Sequence, residues 1–266
     1  NKNLSENLYN VKLFENTYYV DQFDIDKIRK TKLVPNIVVP VLPAELKDVK
    51  SVEIRKEIFI QIALPLIVKE NEVLQRLNRQ IKYIEANFSH LSRKDALWIK
   101  NLMDEYGEYS INQLLLKIDV IPVSLALAQA VIESGWGTSR FAYEGNALYG
   151  QYVWDNGSAG IIPNDREVDA NYKIKSFNNL RESVASYMKN LNTNYHYDEF
   201  RINRFVMRTN KIPLDGANLA DYLYNYSIED DYPIKIKNII EMNNFQDFEN
   251  LRIDTKSLIK ETVDII

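Results

Sequence analysis

Cysteine is absent from the 266 residues, and histidine occurs only at His90 and His196. The chain therefore has no disulfide, no thiolate nucleophile and no cysteine-based zinc site. Two histidines do not make a His-rich metal site either, and His90 falls in the loop-like stretch Asn87-Phe-Ser-His-Leu-Ser. Charge of one sign is also lacking. Thirty-three Lys and Arg stand against 37 Asp and Glu, a net charge of −4, which gives no footprint for a nucleic-acid backbone. Long hydrophobic runs are missing too. The longest, Ile58 to Val68, is interrupted by Gln61 and Pro65 and falls far short of the ~20 apolar residues a membrane span needs.

What remains is ordinary globular material, 45% hydrophobic and 26% charged, long enough for one large domain or two small ones. Seventeen tyrosines are many. Such residues mostly pack cores and surfaces, and less often line sugar or peptide grooves.

Residues 1–50 read as an arm of irregular structure. Val11–Phe14 and Tyr18–Val20 are strand-like, and Val39-Pro-Val-Leu-Pro43 is extended because proline disfavours helix before it. The arm either wraps a helical body or holds a protein partner. From Ser51 to Asn87 the pattern turns helical, with Ile54, Ile58, Ile62, Leu66, Leu74, Leu77, Ile81 and Ile84 at three- and four-residue steps. Pro65 should kink or divide that stretch. Ser92-Arg-Lys-Asp95 starts a further helix that Gly107 stops, and Ile111–Ile118 forms a short one. Six of the eight glycines fall between positions 135 and 160. In that region Asp155-Asn-Gly157 is a turn signal between hairpin-like strands at Tyr149–Trp154 and Gly160–Ile162, with a third at Tyr172–Phe177. Helices resume at Leu180–Leu191, Asn218–Tyr226 and Ile234–Asn243, followed by a charged tail. The result is a helical body interrupted by a small Gly-rich β lobe, about residues 145–177.

One carboxylate stands out. From Pro122 to Gly135 the residues Val123, Leu125, Ala126, Leu127, Ala128, Ala130, Val131 and Ile132 cover every side of a helix, and a helix apolar all round is buried. Its first ionisable group, Glu133, sits in the last turn, where the macrodipole disfavours negative charge. Burial disfavours ionisation as well. Both effects favour a protonated acid, the form a proton donor needs near neutral pH.

The segment Ala128-Gln-Ala-Val-Ile-Glu-Ser-Gly-Trp-Gly-Thr-Ser-Arg-Phe-Ala142, followed by Gly145-Asn-Ala-Leu-Tyr-Gly-Gln151, resembles the glucosaminidases of glycoside hydrolase family 73. Ser183-Val-Ala-Ser-Tyr-Met-Lys-Asn-Leu-Asn-Thr193, Tyr197, Arg201-Ile-Asn-Arg204 and Tyr226-Ser227 resemble its Bax-type branch, as does Phe59 to Ile67. The likeness runs from about residue 53 to 245. It implies a mainly α, lysozyme-like domain at 51–245 with a small β lobe flanking a catalytic cleft, and leaves 246–266 as a tail. It also implies hydrolysis of the β-1,4 bond after N-acetylglucosamine in peptidoglycan glycan strands. Glu133 takes the place of the family's catalytic acid, and Tyr197 that of its tyrosine near the acid. A Cys pair frequent in relatives is replaced by Val153 and Ser158. No metal or other cofactor is implied. The substrate places the protein in the periplasm or envelope, and the chain starts at Asn1 as after removal of a targeting segment.

The remaining site candidates follow from position. A second acid would come from Asp165, Glu167 or Asp169, with Glu167 the first choice; otherwise the substrate's own 2-acetamido oxygen attacks, steadied by Tyr197. Trp136 either stacks on sugar or packs beneath the acid, and its place between two glycines favours packing. Asn146 and Gln151 could bind an acetamido group or the backbone. Tyr149, Tyr152 and Trp154 are stacking candidates, with alternate positions facing the core. Tyr187 reads as core. Arg201 and Arg204 read as a solvated or ion-paired helix face, with contact to the acidic stem peptide as the other reading. A lytic transglycosylase and a non-catalytic wall-binding scaffold remain open as alternatives.

Overall fold

The computed structural model describes residues 23–154, 157–164, 166, 170–255 and 260–261. The strand-like stretches at Val11–Phe14 and Tyr18–Val20, the Asp155-Asn156 half of the turn, and Asp165, Glu167 and Asp169 lie outside them. Helix α1 (Ile25–Thr31) opens the described chain and is capped by the Asp24 carboxylate, which accepts from Lys27 N. Strands β1 (Leu33–Pro35) and β2 (Ile37–Val38) follow. This part is not wholly extended, since it also holds a 3-10 turn at Ala44–Asp48. Phe23, Ile28, Val34, Ile37, Val39, Leu42, Leu46 and Val49 are all buried in the common core, so residues 23–50 wrap the body.

Helix α2 (Val52–Ala86) runs unbroken through Pro65. The expected division does not occur because every residue from Ile58 to Val68 is buried. Burial on all sides outweighs the roughly 3 kcal/mol local cost of an internal proline. Helices α3 (Arg93–Tyr106) and α4 (Ile111–Lys117) start on Ser92 and Ser110, whose hydroxyls accept from Asp95 N and Gln113 N. Helix α5 (Val123–Ser134) is buried continuously from Val123 to Val131. Pro122 sits at its N-cap rather than inside it. The free N–H groups of Val123 and Ser124 donate instead to the carboxylate of Glu249, at 3.2 Å each. An anion at a helix N-terminus satisfies both donors and the dipole.

Helix α6 (Arg140–Gly145) precedes a three-stranded antiparallel sheet of β3 (Tyr152–Val153), β4 (Gly160–Ile161) and β5 (Lys173–Lys175). The strand order is β3-β5-β4, so β3 and β4 do not pair as a direct hairpin. Tyr152 lies opposite Ile174, and Gly160 opposite Lys175. A Cβ at Gly160 would lie 2.8 Å from Ile174 O, and this close approach lets β4 lie against β5.

Helices α7 (Leu180–Thr193), α8 (Asp198–Thr209), α9 (Gly216–Ala220) and α10 (Tyr232–Met242) complete the body. The helix expected at Asn218–Tyr226 is only the short α9 followed by turns. Helix α8 corrects the expectation of solvated arginines, although Arg201 does pair with Asp198. Arg201 and Arg204 are each 1% exposed, while Ile202, Phe205 and Val206 face outward. Buried Phe245, Phe248, Leu251 and Ile253 bring the segment after α10 into the same core. There β6 (Arg252–Asp254) pairs in parallel with β1, and β7 (Lys260–Glu261) with β2.

Candidate functional site

The end of α5 builds the site from backbone geometry. Gly135, Trp136 and Gly137 all have positive φ, at 56°, 59° and 78°, which two glycines tolerate without cost. Ser134 Oγ donates to Ala130 O and accepts from Gly137 N at 2.9 Å, locking the turn. A Cβ at Gly137 would lie 2.9 Å from Leu46 and 3.0 Å from Phe59. The Gly-Trp-Gly turn thus anchors the last helical turn against α2 and the N-terminal wrap. Trp136 packs edge-on between Phe59 and Phe245, at 5.9 and 6.3 Å between centroids, with the Lys56 ammonium 5.0 Å above its ring.

That turn holds Glu133 partly buried. Tyr232, on α10, donates its hydroxyl to Glu133 Oε1 at 2.7 Å. Burial pushes the Glu133 carboxyl up to about 7; the Tyr232 hydrogen bond opposes the shift, and the negative charge of Glu229 adds to it. Glu229 itself pairs with Lys235 at 2.8 Å. The other oxygen, Oε2, lies over the loop after α6. A Cβ at Gly150, where φ is +59°, would stand 3.0 Å from it. Gly150→Ala is therefore expected to crowd the acid and strain the turn together. Turnover should fall by about tenfold or more in a steady-state assay.

Tyrosines surround the acid. Tyr149 and Tyr187 stack at 3.8 Å, and Tyr226 and Tyr232 stack at 5.4 Å. Tyr197 is buried with its ring 6.0 Å from Tyr226. Burial pushes the Tyr197 hydroxyl up to about 12, with the nearby Glu133 charge adding to the effect and a hydrogen bond to Asn190 opposing it. The phenol thus stays protonated, and therefore a donor, across the working pH range. Tyr226 donates its hydroxyl to Tyr149 O at 3.0 Å, tying the loop to the tyrosine cluster.

Several sequence candidates make structural contacts in this arrangement. Tyr149 is 1% exposed and offers no ring face to the surface. Asn146 ends α6 in the left-handed conformation and donates Nδ2 to Phe177 O at 3.0 Å. Gln151 donates Nε2 to Ser186 O at 3.4 Å, and its backbone carbonyl accepts from Lys175 N. Together these residues tie the loop to the β lobe and to α7. Tyr152 and Trp154, by contrast, are 59% and 68% exposed. With Tyr172 they form an aromatic cluster on the β lobe, at 5.1 to 6.3 Å between centroids. Glu167 lies outside the described residues. Among the described residues, no group of three or more His, Asp or Glu could hold a metal ion.

Sequence reasoning missed Gln129, Gly150 and Tyr232. Gln129 left a signal: it is polar in an otherwise apolar stretch and four residues before Glu133, hence on the same helix face. Tyr232 is 99 positions from Glu133 and left none.

Residues 109–245 match the family model described as glucosaminidase, mannosyl-glycoprotein endo-beta-N-acetylglucosaminidase. The chain is 27% identical over 196 residues to protein bax of Escherichia coli (strain K12), across 69% of this chain and 67% of that protein. Among solved structures, the catalytic domain of the autolysin Auto from Listeria monocytogenes aligns with 79% of this chain and 100% of its own length. The identity there is 15% and the TM-score 0.40.

Proposed function

The chain belongs to the glucosaminidase family, and from that premise we propose that it is a peptidoglycan hydrolase cleaving the β-1,4 bond after N-acetylglucosamine, with Glu133 as general acid. One observation carries this reading: a half-buried carboxyl at about 7, held by a phenol at the end of an apolar helix. Glycoside hydrolysis needs a proton delivered to the leaving oxygen as the C–O bond breaks. A carboxylic acid titrating near neutrality balances two needs, being protonated and being willing to give its proton up. The family match is in keeping with a peptidoglycan substrate, which would put the working protein outside the cytoplasmic membrane.

The sugar's developing positive charge must also be met. That role falls to a β-lobe carboxylate, with Glu167 the first choice, or to the substrate's 2-acetamido oxygen, which the protonated Tyr197 would steady. Tyr152 and Trp154 offer exposed faces to the sugar. Trp136, Asn146, Tyr149 and Gln151 act in this reading by shaping the floor beneath it.

Product chemistry tests the proposal. Mass spectrometry of digested peptidoglycan should show reducing N-acetylglucosamine ends. 1,6-Anhydro-muramic ends would establish a lytic transglycosylase instead, and binding without cleavage a scaffold. Tyr232→Phe removes the hydrogen bond that favours the ionised acid. The alkaline limb of its pH–rate profile should move upward by about half to one unit, with kcat falling roughly tenfold.

A further inference from the structure

A chain of hydrogen bonds runs through the core into Glu133. Tyr187, on α7, donates its hydroxyl to Gln129 Oε1 at 2.7 Å. Gln129 donates Nε2 to the Tyr232 hydroxyl at 3.1 Å, and Tyr232 donates to Glu133 Oε1 at 2.7 Å. Tyr187 and Gln129 are fully buried and Tyr232 is 1% exposed. Water is thus a poor substitute for any of these partners.

The chain has a direction. A phenol carries one proton, and a carboxamide has one accepting and one donating end. With the Tyr187 proton pointing into Gln129 Oε1, the amide NH2 must face Tyr232. The Tyr232 oxygen is then occupied as an acceptor, and its single proton goes to Glu133 Oε1. Flipping the amide would reverse every step. The Tyr187 proton would then lose its bond to Gln129 Oε1, and a buried donor stripped of its acceptor is costly. In the reversed chain Glu133 would have to place its own proton on Oε1, against Tyr232.

We infer that this directional chain, anchored by Tyr187 and relayed by Gln129, reserves Glu133 Oε1 as an acceptor and places the transferable proton on Oε2. That oxygen receives no hydrogen bond from a described residue, and it faces the gap that Gly150 leaves by having no side chain. Tyr187 and Gln129 are positioning residues: neither touches Glu133, yet they choose which of its oxygens is the acid. The inference rests on the glycosidase reading for the use of the proton, but the direction of the chain does not depend on it.

Neutron diffraction from perdeuterated protein at pD 5, where the acid is neutral, reads the direction itself. Deuterium is expected on Oε2 of Glu133 and between Tyr232 and Oε1. Deuterium on Oε1, or the Gln129 amide group turned toward Tyr187, would overturn the inference even if the protein is an active glycosidase. Conversely, an active Glu133→Gln variant would remove Glu133 as the general acid and leave the neutron result standing.

Tyr187→Phe supplies the functional counterpart. It keeps the ring stacked on Tyr149 and removes only the anchoring hydroxyl, so the amide is free to flip. The groups around the acid (Tyr197, Tyr226, Tyr232 and Glu229 with its partner Lys235) stay in place. On peptidoglycan, kcat should fall about tenfold with KM changed by less than about twofold. The alkaline limb should rise by about one unit. The carboxyl carbon of Glu133, followed by NMR titration, should shift by the same amount without any turnover. A pH profile and a titration that superimpose on wild type would show that Tyr187 serves packing alone and would overturn the positioning role.

Discussion

Replacing Glu133 by glutamine is expected to lower turnover of purified peptidoglycan by about 10³-fold or more, while making the protein more stable above neutral pH. The amide is isosteric and still accepts from Tyr232, so the site keeps its shape and loses only the proton. The gain in stability follows from the raised carboxyl. The folded protein holds the Glu133 proton up to about 7, against an ordinary value of 4.5. Below 4.5 both folded and unfolded chains are protonated and the group is neutral in its effect. Between 4.5 and 7 the unfolded chain releases its proton first, so folding stability falls as pH rises. Above 7 the charge is ionised in a half-buried site, at a cost of up to about 3 kcal/mol. Glutamine never incurs that cost. Urea denaturation of both proteins at pH 5 and pH 8 should show near-equal midpoints at the lower pH and a higher midpoint for the variant at the higher. Wild-type activity in the variant would remove Glu133 as the acid.

The second large effect concerns folding rather than chemistry. Arg204→Lys is expected to destabilise the protein by about 3 kcal/mol or more, seen as a lowered urea midpoint with an unchanged slope. The Arg204 guanidinium donates to Leu116 O, Lys117 O, Asp119 O, Val120 O and Asn192 Oδ1. It ties the end of α4 and the approach to α5 to α7. A lysine ammonium cannot reproduce that planar fork, and the acceptors it abandons are buried or part-buried. Burial depresses the Arg204 guanidinium to about 10, so the arginine still carries its charge at neutral pH. Arg208→Lys is the control. Its guanidinium pairs with Asp119 at 2.9 Å but is nearly half exposed, and loss there should stay below about 1 kcal/mol.

The two arginines mark where sequence pattern misleads. Along α8, Arg201 and Arg204 alternate with Ile202, Phe205 and Val206 in a way that local reasoning resolves as charge outward. The structure turns the helix over, because backbone carbonyls at the ends of α4 and α7 need donors more than the core needs three more apolar side chains. Arg201 donates to Leu191 O and Asn194 O, at 2.8 Å each. Those carbonyls lie at the end of a neighbouring helix, and no periodicity on α8 reports them. Pro65 misleads for a related reason, since its cost is local and the burial that outweighs it is not.

The sequence by itself determined the helix that presents the acid. An apolar run from Val123 to Ile132 needs burial, Gly135 ends it, and Glu133 follows from both within a dozen residues. It also determined the Gly-rich break into a small β lobe, because turn chemistry is local. The environment around Glu133 was decided only in three dimensions. Tyr232 arrives from 99 residues away, Tyr187 from another helix, and Gly150 by leaving a gap that a Cβ would fill. Glu249 caps the start of the same helix from beyond the last long helix of the body. Backbone preference and hydrophobic period act over a few residues and can be read along a line. A hydrogen bond between side chains a hundred residues apart exists only after the chain has folded, and such bonds link Tyr187, Gln129 and Tyr232 to Glu133.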